Sequence, residues 1–139
     1  TSKVRSVMEK IMIKYNVQFE VLKGIPHQEV IERIKRADIA LGQFYAGWYG
    51  NFDIECMIYG KPVFGYINPD LLEPGMDIPP LINIETHDFE EELYAKLEEL
   101  IKDPELRKRI GIQSREYAVK IHDHIHVAER LKSLFGQIV

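Results

Sequence analysis

The chain has 139 residues, 45% of them apolar and 29% charged, with a formal net charge of −4. That apolar share can bury the core of one globular domain, and no apolar run approaches the roughly 20 residues that a membrane-crossing helix needs. Lys and Arg are scattered, with short clusters only at Lys35-Arg36 and Arg107-Lys108-Arg109, so the basic patch that nucleic acid requires is not expected.

The one cysteine, Cys56, has no partner for an internal disulfide, and no signal peptide is visible. The expected location is cytoplasmic. The sequence opens on Thr1 and runs directly into a helical pattern. Residues 1–139 therefore read as a single domain excised from a longer protein.

Val4, Val7, Met8, Ile11, Met12 and Tyr15 recur at spacings of three and four, the stripe of an amphipathic helix. Asn16 breaks it. Val17 to Leu22 (VQFEVL) is β-rich and predicts a strand that ends at Lys23-Gly24. Pro26 suits a first helical turn, and Val30, Ile31, Ile34 and Ala37 line a second helix. Asp38 to Gly42 predicts a short buried strand, and an aromatic loop runs from Gln43 to Gly50.

A short helix is predicted over about Asn51 to Tyr59, ended by Gly60 in the left-handed conformation. Pro62 to Tyr66 predicts another buried strand. Asn68 to Pro80 holds four prolines and a glycine, too many for regular structure, and Leu81 to Ile84 predicts a further strand. The tail is helical: Asp88 with Glu91 suggests a capping-box start, with Phe89, Leu93, Leu97, Leu100 and Ile101 on the buried face. Asp103-Pro104-Glu105 begins a second tail helix, and Asp123 is placed to cap a third from about His124 to Phe135.

This alternation implies an α/β fold: a Rossmann-like three-layer sandwich around a parallel sheet, with a helical C-terminal tail and without the strand that normally precedes its first helix. Such folds bind ligands beyond the carboxyl ends of their strands. The loops leaving those ends are Lys23 to His27, Gln43 to Asn51 and Tyr66 to Pro80.

Gly47 and Gly50 permit close backbone approach or sharp turning. They precede a helix whose free N–H groups at Asn51, Phe52 and Asp53 suit a diphosphate. One turn on, Glu55 offers two carboxylate oxygens to the neighbouring hydroxyls of a ribose. A helix–strand turn with a solvated glutamate fits the same spacing.

The segment Ile54-Glu55-Cys56-Met57-Ile58-Tyr59-Gly60-Lys61-Pro62-Val63 resembles the donor-binding signature of retaining glycosyltransferases of the GT-B architecture. Upstream, Gly24-Ile25-Pro26-His27-Gln28-Glu29-Val30 is similar to the start of the preceding helix in that family, and Ala37-Asp38-Ile39-Ala40-Leu41 to its A-D-(I/V)-x-(I/V) stretch. Downstream, Asp103-Pro104-Glu105-Leu106-Arg107 with Gly111 matches its tail helix. The resemblance covers nearly the whole chain in order and spacing.

It implies one half of a GT-B fold, and a parent enzyme that moves a sugar from a nucleoside-diphosphate donor to an acceptor without a bound metal or other cofactor. Glu55 then corresponds to the ribose ligand, Gly50, Asn51 and Phe52 to the backbone that meets phosphates and sugar, and Gly24 and Ile25 to the loop facing the base. The family's other glutamate, which meets the transferred sugar, falls at Gly47; either Trp48, Tyr49 or Gln43 takes its place, or catalysis is weakened. The catalytic residues are not assignable. The implied partners are the nucleotide-sugar donor and an N-terminal acceptor-binding domain, with membrane contact only through that other part. A nucleotide-sugar 2-epimerase domain and a non-catalytic nucleotide-sugar-binding module are the alternatives.

Three other groups are read against their plainer roles. His122, His124 and His126 bracket a predicted helix start, with Asp123 alone as a further ligand, and read as a helix junction rather than a metal site. Cys56 reads as a packing residue, and Lys61, at the far end of its helix, as a structural one. The cluster Phe44, Tyr45, Trp48, Tyr49 and Phe52 fits either stacking on a base or sugar, or closing the loop over the core. His27 lies in a strand-end loop facing the expected crevice.

Overall fold

The computed structural model describes residues 2–85 and 87–138, with side chains described as far as residue 121. Within these residues the order is α1 Ser2–Lys14, α2 His27–Arg36, β1 Ala40–Leu41, α3 Asn51–Ile58, β2 Val63–Gly65, β3 Ile82–Asn83, α4 Phe89–Lys102 and α5 Pro104–Ile138. The fold is α/β with a small open sheet. Its strands are all parallel in the order β1-β2-β3.

Register and pleat divide the core in two. Ala40 pairs beside Val63, and Leu41 beside Phe64, which pairs beside Ile82. Successive strand residues face opposite sides, so Val63 and Ala40 join Ile34, Cys56, Met57 and Ala118 in one buried cluster. Phe64 joins Val7, Met8, Ile11, Ile84, Phe89, Leu93, Leu97 and Leu100 in the other, with Leu41 and Ile82 against it. The helical stripes read from α1 and α4 are thus the faces that meet: Val7, Met8 and Ile11 against Leu93, Leu97 and Leu100. Lys14 and Tyr15 close that contact polar-side, reaching Glu98 Oε2 at 2.8 and 2.6 Å.

Several boundaries differ from expectation. Val17 to Leu22 carries no ladder pairing. Its alternation is instead met by packing, with Val17 and Phe19 against the α1–α4 core and Glu20 held 2.6 Å from Arg33. The tail predicted as three helices contains two. Asp103 does cap α5, accepting from Leu106 N–H at 3.0 Å, but α5 then runs through Asp123 without a break. The side chains of His122, His124 and His126 lie outside the described residues.

Asp88 makes no side-chain cap; it starts α4 with φ 57°. Glu92, not Glu91, reaches back across the turn and accepts from Glu85 N–H at 2.7 Å. The proline-rich loop contains one 3-10 turn, Pro69–Leu71, which Asn68 starts by accepting from Asp70 N–H at 3.0 Å. Among the described residues no helix is long and apolar enough to cross a membrane.

Candidate functional site

The chain leaves β1 at Gly42, and the first thing it meets is a carboxylate. A Cβ on Gly42 would overlap Asp53 Oδ1 and come within 2.9 Å of the Phe64 carbonyl oxygen. Asp53 is the third residue of α3 and is 2% exposed. Its Oδ2 accepts the Gly50 N–H at 2.9 Å. Burial pushes its carboxyl above the ordinary carboxylate value; the Gly50 and Gln43 amides pull it partly back. An acid in the first turn also suits the positive end of the helix dipole.

This arrangement redistributes the donors expected for an anion. The Gly50 N–H is engaged by Asp53, whereas the N–H groups of Asn51 and Phe52 belong to the first turn, where the helix itself supplies no acceptor. Asn51 is exposed and Phe52 half-buried.

The loop from Gln43 to Gly50 is held from within. Gln43 Nε2 donates to the Trp48 carbonyl oxygen at 3.1 Å. Gly47 is buried with φ 76°, and its carbonyl oxygen accepts from Asn68 N–H at 2.8 Å. A Cβ there would stand 3.0 Å from the Asn68 Cβ. Position 47 therefore needs glycine twice over, for its left-handed backbone and for the latch between the loops that follow β1 and β2.

The aromatic residues divide. Phe44 packs edge-on against Phe89 at a centroid distance of 5.0 Å, and Tyr49 and Phe52 pack on the cluster around Met57 and Val63. Trp48 stacks on Tyr49 at 5.1 Å. The Tyr49 and Tyr117 hydroxyls are 2.9 Å apart, and burial, then this contact, pushes the Tyr117 hydroxyl up. Tyr45 is exposed. Phe44, Tyr49 and Phe52 thus close the loop over the core, and Trp48 is the half-buried member stacked outside them.

Glu55 lies one turn into α3 and is half-buried. Its Oε1 is 3.2 Å from His27 Nε2, the first residue of α2. This contact joins the first residue of α2 to the middle of α3. Gly24 (φ 73°) and Ile25 precede it; a Cβ on Gly24 would touch nothing within 4 Å, and Ile25 is half-buried.

The far end of α3 is built for structure. Gly60 N–H bonds the Met57 carbonyl at 2.9 Å and Lys61 N–H the Cys56 carbonyl at 3.0 Å, with Gly60 left-handed at φ 73°; this is the double bond pattern of a glycine-terminated helix. Lys61 Nζ donates to the Lys35 carbonyl at 3.1 Å in the last turn of α2. Arg115 from α5 reaches the Ile58 carbonyl at 3.1 Å. Cys56 is fully buried, which pushes its thiol up to about 12 and keeps it protonated at neutral pH.

The reading of the sequence missed Asp53 as a carboxylate, Tyr117 as the partner of Tyr49, and Gly42 and Gly111 as points of close approach. The glycines were the available signal, since each stands beside a residue that needs the room. Two shallow hollows of about 300 and 270 Å³ lie away from this region, one along Ser2, Arg5, Ser6 and Glu9, the other around Lys3 and Asp88 to Glu91. Among the described residues no three His, Cys, Asp or Glu side chains converge to hold a metal ion. No family model matches the chain, and neither the curated proteins nor the solved structures contain a match to it.

Proposed function

We propose that this chain is the donor-binding half of a retaining glycosyltransferase of GT-B architecture, its fold a reduced Rossmann-like three-layer sandwich, and that it grips the nucleoside diphosphate of a sugar donor. The observation that carries the reading is the meeting of α2 and α3 at Glu55 and His27, 3.2 Å apart. It sets a half-buried carboxylate one helical turn behind amides that the helix leaves open. A carboxylate at that distance from an anion site suits a ribose, whose two vicinal hydroxyls donate while the diphosphate accepts.

In the parent enzyme, transfer would break the bond between the sugar's anomeric carbon and the diphosphate oxygen. The acceptor oxygen would form the new bond and pass its proton to the departing diphosphate oxygen. The charge that grows on the leaving diphosphate would be met by the Asn51 and Phe52 amides, helped by the α3 dipole. Asp53 works against an anion there when ionised.

Gly47 supports a second reading, a nucleotide-sugar-binding module without transfer. Position 47 is where the resemblance calls for the sugar-facing carboxylate, and its left-handed backbone and the 3.0 Å approach of a Cβ there to the Asn68 Cβ both oppose one. Both readings predict binding by the isolated chain, and both predict no transferase activity from it alone.

The test is a titration of UDP, GDP and ADP into the chain, followed by backbone amide shifts. Binding as proposed moves the amides of Gly24, Asn51, Phe52 and Glu55 with at least one nucleotide. Titrations that move none of these would refute the assignment.

A further inference from the structure

Resting on the ribose role proposed for Glu55, we infer that His27 is a positioning residue that sets which way the Glu55 carboxylate faces and so tunes selectivity for ribose over sugars lacking its hydroxyls. A glutamate one turn into a helix has three freely turning side-chain bonds, and holding it in one orientation costs conformational entropy at each binding event. His27 Nε2 stands 3.2 Å from Oε1, within reach of that oxygen, and the carboxylate keeps acceptor sites on both oxygens for the ligand's hydroxyls.

The two side chains belong to different helices and differ in exposure, 70% for His27 and 27% for Glu55. The half-buried partner is the one whose direction matters to a ligand. The exposed partner forms the rim. Neither side chain is buried in the core: His27 is exposed and Glu55 half-buried. The neighbouring ions on α2 are engaged elsewhere, Glu29 with Arg33 at 2.9 Å and Glu32 with Lys35 at 3.3 Å. Arg33 also holds Glu20. The imidazole therefore faces Glu55 without one of these charges drawing it away.

An exposed pair of this kind contributes little to folding, so His27 can be changed without unfolding the chain. The experiment is calorimetric titration of the 139-residue chain, its His27→Ala and its His27→Gln variants. Each is titrated with the nucleoside diphosphate that binds best and with that nucleotide's 2′,3′-dideoxy analogue. His27→Ala should bind the ribonucleotide roughly fivefold more weakly, the fold-change that corresponds to about 1 kcal/mol, with the dideoxy affinity unchanged. His27→Gln, whose amide nitrogen reaches the place of Nε2, should recover most of the loss.

Ribonucleotide binding that is equally selective in wild type and His27→Ala would overturn the positioning role while leaving Glu55 as the ribose ligand. Equal weakening of both ligands in His27→Ala, or no recovery in His27→Gln, would also overturn it. No selectivity even in wild type would remove the ribose role itself, and this inference with it.

Discussion

Gly111 in α5 lies against the carbonyl of Gly60 so closely that a Cβ on Gly111 would overlap that oxygen. The contact seats the tail helix on the glycine turn that ends α3, where Arg115 also binds the Ile58 carbonyl. It gives the tail a defined place against the helix that carries Glu55.

A Gly111→Ala substitution tests that seat. Alanine in a helix interior is ordinarily favoured over glycine by about 1 kcal/mol. Overlap with a backbone oxygen costs more, on the order of 1–3 kcal/mol for an overpacked site. The variant should therefore have a lower urea midpoint than wild type. A higher midpoint would mean that α5 does not approach Gly60 so closely.

Gly47→Glu restores the carboxylate that the resemblance calls for, and it should be damaging. Left-handed backbone costs a side-chain-bearing residue about 1–2 kcal/mol, and the new Cβ would press on Asn68. Thermal unfolding should fall accordingly, with no gain in nucleotide binding. A stable variant that bound a sugar donor more tightly would reopen position 47 as a sugar contact.

Asp53 gives a pH signature. Because burial raises its carboxyl above the ordinary 3.8, the folded chain holds that proton more tightly than the unfolded chain. The stability it contributes therefore falls as pH rises from the unfolded value through the higher folded one. Asp53→Asn removes this fall while keeping an oxygen for the Gly50 N–H. Measured by denaturant melts, stability of the Asn variant relative to wild type should improve between pH 3 and pH 7. A difference constant with pH would place Asp53 in contact with solvent.

Glu98 predicts the opposite slope. Hydrogen bonds from Lys14, then Tyr15, hold its carboxyl at about 2, below its ordinary 4.5. Its contribution is present above 4.5 and is lost as pH falls toward about 2. Wild type should lose stability relative to Glu98→Gln across that interval. Parallel curves would show that α1 and α4 are held by their apolar faces alone.

What the sequence disclosed follows from the range of the forces involved. The α1 and α4 stripes, the Asp103 cap and the left-handed Gly60 are settled by neighbours within a few positions, and each was legible. Asp53 was not, because its burial depends on the close approach of Gly42, eleven positions away. Val17 to Leu22 has the composition and alternation of a strand, yet pairing requires an adjacent edge, which composition does not provide. The Glu55–His27 contact spans two helices; the motif named one partner and the loop position the other, but only the fold sets them 3.2 Å apart.

Ribose binding at Glu55 is measured most directly by the affinity of wild type and Glu55→Gln for a ribonucleoside diphosphate and for its 2′,3′-dideoxy analogue. If Glu55 grips the ribose, wild type prefers the ribonucleotide and the variant loses that preference, with roughly 1.5–3 kcal/mol of charge-assisted hydrogen bonding removed. If the two proteins discriminate equally, or wild type does not discriminate at all, the ribose is not held at Glu55 and the account of this site is wrong.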